Sequence, residues 1–284
     1  QLVNYTLPQI TGFNGILANL PATVQNSGVE VELTTENIKS EKLSWTTSLN
    51  LSVPRNKLIA FPGIDSSTYA NRYIVGEPIY IQKFYEYTGI DPQTGLYTVN
   101  DVDHDGKISS PNDATIARFI GYDFFGGISN TVTYKGLTLD VFLQVVKQTG
   151  RLTSFAPGLQ NINITAYFLD KKRWQKPGDE STAEIQRFAT EYTQGFGAAL
   201  ANSAYERYVF SDGIVTDASF IRLKTVSLSY QLPPKMLKGI NCNVYVRGQN
   251  LFVWTKYKGS DPEVQSGSAL PPLRTIIIGA NVTL

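Results

Sequence analysis

The chain has 284 residues, 42% hydrophobic and 17% charged, with 25 Lys+Arg against 24 Asp+Glu. That balance excludes the strongly basic surface that a nucleic-acid or phosphate-rich partner requires. A single cysteine, Cys242, excludes an intrachain disulfide and a cysteine metal site. No apolar run of about 18 residues exists to make a transmembrane helix, which leaves membrane-crossing strands open, because those expose only alternate residues to lipid. The chain starts Gln-Leu-Val, without a signal peptide's basic start and apolar core, as expected of a processed chain or a fragment.

Period-two alternation dominates from the first predicted strand onward. Val29, Val31 and Leu33 alternate with Glu30, Glu32 and Thr34. After a short connection, 35–42, the odd positions Leu43, Trp45, Leu49, Leu51 and Val53 are mostly apolar, and the even ones are Ser, Thr or Asn. A long connection follows, 59–121. Within it, Ile79–Tyr87 reads as a strand beginning just after Pro78.

The same connection holds the sharpest local signal. Asp101, Asp103 and Asp105 occupy positions 1, 3 and 5 of an EF-hand-type calcium loop, with Gly106 at the sharp turn of position 6. Lys107 would offer its backbone carbonyl at position 7, and Ser109 falls at position 9. Hard oxygen ligands spaced by two converge on one cation and relieve their mutual repulsion. Position 12 is Asn112, and the nearest carboxylate, Asp113, comes one residue late, with no flanking helices evident. A structural calcium is the expectation, and a solvated acidic turn is the plainer reading. His104, the only histidine, lies inside this loop and reads as exposed filler. A Ser-His-Asp or Cys-His site would have to use it. No catalytic residue and no organic cofactor are expected.

From Tyr122 to Tyr134, Phe124, Ile128 and Val132 alternate with Asp123, Ser129, Thr131 and Thr133. Lys135-Gly136 then turns the chain into Leu137, Leu139, Val141, Leu143 and Val145, which alternate with Thr138, Asp140 and Gln144. A second long connection, 148–217, holds two predicted helices. One runs from Ile164 through Trp174 and stops at Pro177-Gly178; the other begins at the Ser181–Glu184 capping-box spacing. The glycine-rich Gly195–Leu200 lacks a phosphate-binding Lys and reads as a flexible loop. Alternation resumes at Val226, Leu228 and Tyr230, again at Cys242–Trp254, and last at Ile276, Ile278, Ala280, Val282 and Leu284, after connections 231–241 and 256–274.

The reading is an all-β fold of about seven or eight antiparallel strands belonging to a large transmembrane β-barrel with long extracellular loops. A soluble sandwich also alternates, but three features favour the barrel. The stripes extend about 10 residues, the length a tilted strand needs to cross a bilayer. Aromatics lie at the strand ends on the apolar face: Trp45, Tyr134 and Tyr230 by the short connections, and Tyr122, Phe124, Phe252 and Trp254 at the opposite ends. Short and long connections alternate, as in outer-membrane barrels. Glu30, Glu32, Asp140 and Arg247 then face the lumen. The loop aromatics Tyr69, Tyr73, Tyr85, Tyr87, Phe155, Tyr167 and Trp174 are candidates to stack on sugar rings or to pack the loops.

Several stretches resemble SusC/RagA-like TonB-dependent outer-membrane transporters. They are NLPATVQNSGVEVEL (Asn19–Leu33), GIDPQTGLYTVNDVDHDGKI (Gly89–Ile108), RWQKPGDEST (Arg173–Thr182), DASFIRLKTVSLSYQLP (Asp217–Pro233) and the closing RTIIIGANVTL (Arg274–Leu284). The resemblance implies that 1–284 is the C-terminal part of such a receptor's barrel, with the N-terminal plug and first strands absent. It implies import of a glycan or peptide across the outer membrane of a Gram-negative, Bacteroidetes-like cell. It also implies a SusD-like surface lipoprotein as lid, and TonB acting through the missing N-terminal part. Family members usually end in Phe, whereas this chain ends in Leu284. The competing expectation is a secreted, calcium-containing glycan-binding β-sandwich.

Overall fold

The computed structural model describes residues 2–6, 10, 12, 15–19, 21–152, 173–188, 198–233, 239–266 and 269–283. Two short strands, β1 (Leu2–Thr6) and β2 (Gly15–Asn19), pair with each other. The body of the protein is one antiparallel sheet. It begins with β3 (Thr23–Lys39) and β4 (Leu43–Ala60). Four short strands fill the first long connection: β5 (Ile81–Phe84), β6 (Tyr87–Ile90), β7 (Tyr97–Val99) and β8 (Ile116–Phe119). Then come β9 (Gly121–Tyr134), β10 (Leu137–Arg151), the short β11 (Val215–Asp217), β12 (Phe220–Leu232), β13 (Asn241–Thr255) and β14 (Thr275–Thr283).

The long strands lie side by side in chain order, β3-β4-β9-β10-β12-β13-β14, with β11 added on β10. They form a single continuous sheet. This overturns the sandwich expectation, which needs two sheets of long strands facing each other. β3 and β4 have 17 and 18 residues, far beyond an ordinary globular strand of about 5–6. Connections between long strands are tight at one end. Ser40–Lys42 joins β3 to β4, and Lys135-Gly136, with φ of 47° and 85°, makes the type I′ geometry that a two-residue hairpin favours.

Register assigns every side chain to a face. Leu33, Leu49, Ile128 and Leu143 share one rung. Trp45, Val132, Leu139, Leu228, Val246 and Ile278 share another, and Tyr134, Leu137, Tyr230 and Val244 a third. These residues form an outward apolar face, and many stay exposed: Leu33 52%, Leu139 38%, Ile278 81%. Polar groups on this face satisfy one another, as Asn130 Oδ1 accepts from both Trp45 Nε1 (3.0 Å) and Thr47 Oγ1 (2.7 Å). The opposite face carries Ser48, Ser129, Thr131, Asp140 and Ser227, with Thr131 donating to Asp140 at 2.7 Å.

The aromatic ends need one correction. Phe252 and Trp254 lie outward, opposite Leu223 and Ile221, as expected. Tyr122 does not. Its strand carries a bulge at Asp123, so Tyr122 pairs with Gln148 on the inner face and meets the inward Phe125 edge-on. One extra residue reverses the alternation beyond it.

The long connections carry structure of their own. Phe84, Ile90, Tyr97, Trp174, Tyr208 and Ile214 form a buried cluster shared by both. Over the described residues 181–188 the helix expected after Ser181 is not formed: Ile185 instead makes an isolated parallel bridge to Arg173. An α-helix spans Ala198–Val209, beginning inside the segment read as a flexible glycine-rich loop. It buries Ala201, Ala204 and Tyr208, so one small-residue face serves the cluster. The segment expected as a helix from Ile164 lies largely outside the described residues, as do Phe155, Tyr167 and Leu284.

Candidate functional site

Two features of the loop end have the makings of sites, and the first is the acidic loop. It brings Asp101, Asp103 and Asp105 together, one carboxylate oxygen of each within 4.8 Å of the others. The turn is made by the carboxylates themselves. Gly106 N donates to Asp101 Oδ2 (2.9 Å), and Lys107 N to Asp105 Oδ1 (2.7 Å). Gly106, at φ 80°, supplies the left-handed position that the sharp turn requires. His104 is exposed, also at positive φ (57°).

Asp113 takes a different part. It is fully enclosed, and its two oxygens accept from Val102 N (2.7 Å) and Ser109 N (2.8 Å). These bonds, Ser109's first, hold its carboxyl below the usual carboxylate range. Asp113 thus closes the loop on its own backbone and lies outside the convergent trio. Asn112 turns to the trio instead, its Nδ2 donating to Asp103 Oδ2 at 2.8 Å. Asp101 Oδ1 is buried with no hydrogen-bond partner among the described residues. A buried, unpartnered carboxylate oxygen beside two others suits a hard cation, which would satisfy all three at once.

The second feature is the inner wall beneath the loops. The connection from Lys256 to Arg274 folds back over it and is held by buried charge. Arg222 and Asp261 are 3% and 6% exposed at their side chains, with Arg222 Nη2 donating to both Asp261 oxygens at 2.9 and 2.7 Å. Arg222 Nε lies 3.1 Å from Glu263, off the line of its N–H, so that contact is an ion pair without a hydrogen bond. Lys224 reaches Glu263 as well. Gln148 Nε2 donates to Ala218 O and Pro262 O, and Tyr257 Oη to Arg151 O. Nothing in the local sequence announced the Arg222–Asp261 pair, whose partners are 39 residues apart.

The loop aromatics divide. Tyr97 and Tyr208 stack at 4.0 Å, with Tyr87 edge-on to both. Trp174 is 6% exposed and covers Gly95, where a Cβ would stand 2.2 Å from its ring. Trp174 is therefore core of the loops, and Tyr87, partly buried, packs against that core. Tyr69 and Tyr73 stack on each other at 5.8 Å and stay half-buried.

Known proteins resemble the chain in sequence and in fold. No family model matches the chain. TonB-dependent receptor P26 of Formosa agariphila is 29% identical over 99% of the chain. TonB-dependent receptor SusC of Bacteroides thetaiotaomicron is 24% identical over 97%. The solved RagAB peptide transporter superposes with a TM-score of 0.72 over 99% of the chain, at 23% identity. The chain is SusC/RagA-like. It spans 31% of the length of P26, 28% of SusC and 32% of the RagAB chain. Its antiparallel strands superpose on those of the RagAB peptide transporter, and the matched stretch contains both the acidic loop and the inward-folded last loop.

The buried pair sets an expected cost. Arg222→Ala leaves Asp261 charged and enclosed, which costs about 3–5 kcal/mol of local stability. Hydrogen exchange on the folded protein should show the amides of Glu263 and Val264 losing protection in Arg222→Ala, while Lys39→Ala, which removes an exposed pair, changes nothing measurable.

Proposed function

We propose that this chain forms part of the barrel wall of a TonB-dependent outer-membrane importer for glycans or oligopeptides. The observation that carries the reading is the sheet itself: strands long enough to cross a bilayer, outwardly apolar, joined by alternating tight and long connections. The likeness to TonB-dependent receptors over nearly the whole chain supports it. The tight connections face the periplasm and the long ones the outside. The remaining plug and barrel close the structure around the inner wall, and the plug delivers TonB's pull. A SusD-like surface lipoprotein covers the loop end as lid. The RagAB peptide importer has been solved in an open-open and in a closed-closed state, which supports a cover that opens and closes. The work done is binding and gated passage. No bond of the substrate is broken.

Uptake by cells carrying the full-length transporter tests this reading. Import of the growth-supporting oligomer should stop when TonB is deleted and when the neighbouring surface lipoprotein is deleted. Undiminished uptake in the TonB-deleted strain would contradict it.

Within that reading, the acidic loop holds a structural calcium through Asp101, Asp103 and Asp105. Lys107 supplies its carbonyl, Ser109 lies at the edge, and Asp113 braces the loop from behind. Calcium would fix a loop that joins β7 to β8 outside the membrane, and it would supply no catalytic chemistry. Calcium added to the metal-stripped transporter should slow amide exchange across residues 101–113. Asp101→Asn should raise the calcium concentration needed by about tenfold or more, the cost of removing one charged ligand.

A further inference from the structure

On the outward face of the β3–β4 hairpin, successive rungs pair Leu33 with Leu49, Val31 with Leu51, Val29 with Val53, Ser27 with Arg55 and Gln25 with Lys57. The face turns from aliphatic to cationic in one step, at Arg55. From Leu43 to Val53 the strand rises about 33 Å along its own length and, tilted at about 35–45°, about 25 Å across the membrane. That is the height of a barrel's apolar band, so Arg55 and Lys57 stand where the headgroups of the facing leaflet begin. Both are exposed, as are Ser27 and Gln25 beside them. Arg55 Nη1 donates to Pro54 O (2.8 Å) and to Asp123 O (2.9 Å), which holds the guanidinium toward β9. Its Nε and Nη2 have no partner among the described residues, and neither Arg55 nor Lys57 is ion-paired there. The other strands end their outward stripes differently. Lys147 on β10 is neutralised by Asp217 at 3.1 Å, and β13 ends on the rings of Phe252 and Trp254, 4.8 Å apart.

We propose that Arg55 and Lys57 bind the phosphorylated headgroup of an outer-leaflet lipid. The inference rests on the barrel reading above, with the long connections outside, and adds a ligand on the outer wall, away from the import route. Cations two residues apart on one strand stand about 6.6–6.8 Å apart along it and repel each other. A phosphate between them removes that repulsion. The open Nε and Nη2 of Arg55 present two parallel N–H groups to two phosphate oxygens, and Lys57 meets the third as a point charge. The Ser27 hydroxyl and the Gln25 amide, across the hairpin, add neutral donors. A free anion would gain only an exposed, salt-screened attraction and would leave the aliphatic rungs unused. A lipid uses both parts of the surface, with its phosphate on the cations and its acyl chains along Val53, Val29, Leu51 and Val31. Such a lipid would fix the height at which this side of the barrel sits in the membrane.

Native mass spectrometry on the full-length transporter, purified in mild detergent and stripped of lipid, decides the matter. The probes are lipid A carrying its phosphates, the same lipid A after phosphatase treatment, and inorganic phosphate. The unsubstituted transporter should retain the phosphorylated lipid at least about tenfold more tightly than the dephosphorylated one, and inorganic phosphate at equal concentration should not displace it. The double variant Arg55→Gln, Lys57→Gln should weaken retention about tenfold or more, the scale of losing two headgroup charges. Lys39→Gln, at the opposite end of the hairpin, should leave it unchanged. Lys57→Gln alone, expected to weaken retention severalfold, is decisive if the double variant fails to insert. Equal retention of the two lipids overturns the phosphate assignment. Phosphorylated lipid held equally by the variants overturns the location, and displacement by inorganic phosphate overturns the lipid. Insertion of the same protein into lipid vesicles is read separately. A transporter that inserts but shows no preference for phosphate sinks this site alone, whereas one that does not insert sinks the barrel reading and the site with it.

Discussion

In hydrocarbon, every backbone N–H and C=O must find its partner within protein, because no water is present to supply one. The long sheet answers that demand strand by strand from β3 to β14. Within it each interior strand is paired on both sides over most of its length. In a closed barrel, the outer sides of β3 and β14 would be paired by further strands. The demand also explains the period-two sequence. Once the backbone is satisfied along the sheet, side chains are free to divide between a lipid face and a lumen face. Among the polar groups that remain outward, Thr47 and the Trp45 indole both bond to Asn130.

Outside the bilayer the physics changes, and so does the means of holding the chain. The first two long connections share a cluster of stacked tyrosines and Trp174. The third is anchored by Arg222, Asp261 and Glu263 on the lumen side. A buried ion pair is seldom retained for stability alone, since apolar residues of the same size do as well. Here it helps set the position of the loop over the inner wall, beside the Gln148–Pro262 and Tyr257–Arg151 hydrogen bonds. The acidic loop uses a third device, turning its carboxylates onto its own backbone while leaving Asp101 Oδ1 unmatched. Each device rigidifies a part of the loop end, and together they give the lumen entrance a defined shape.

The sheet was legible in the sequence because alternation repeats over ten or more residues, and the Lys135-Gly136 turn announces itself. The acidic loop was legible as spacing, and the convergence of Asp101, Asp103 and Asp105 follows it. The role of Asp113 was not legible, since a carboxylate one residue late looks like a defective ligand and not a backbone brace. The bulge at Asp123 left no mark in composition, so Tyr122 was assigned to the wrong face. The Ser181–Glu184 spacing mimics a capping box, but tertiary pairing of Ile185 with Arg173 prevails over local propensity. The helix at Ala198–Val209 was masked by the glycines before it. The inner wall beneath the loops depends on register, on a bulge and on a contact across 39 residues, none of which a single sequence displays.

The central claim is that alternate residues of these strands face lipid. It is tested most directly by single-cysteine scanning along β10 from Leu137 to Val146, with Cys242 first changed to Ala, in the full-length transporter in outer-membrane vesicles. The account predicts that cysteines at 138, 140, 142 and 144 react with a water-soluble maleimide added through the lumen. Those at 139, 141, 143 and 145 should be protected, and when carrying a fluorophore should be quenched by lipid-phase quenchers. Uniform reactivity at all positions, with no period of two and no quenching from lipid, would contradict it.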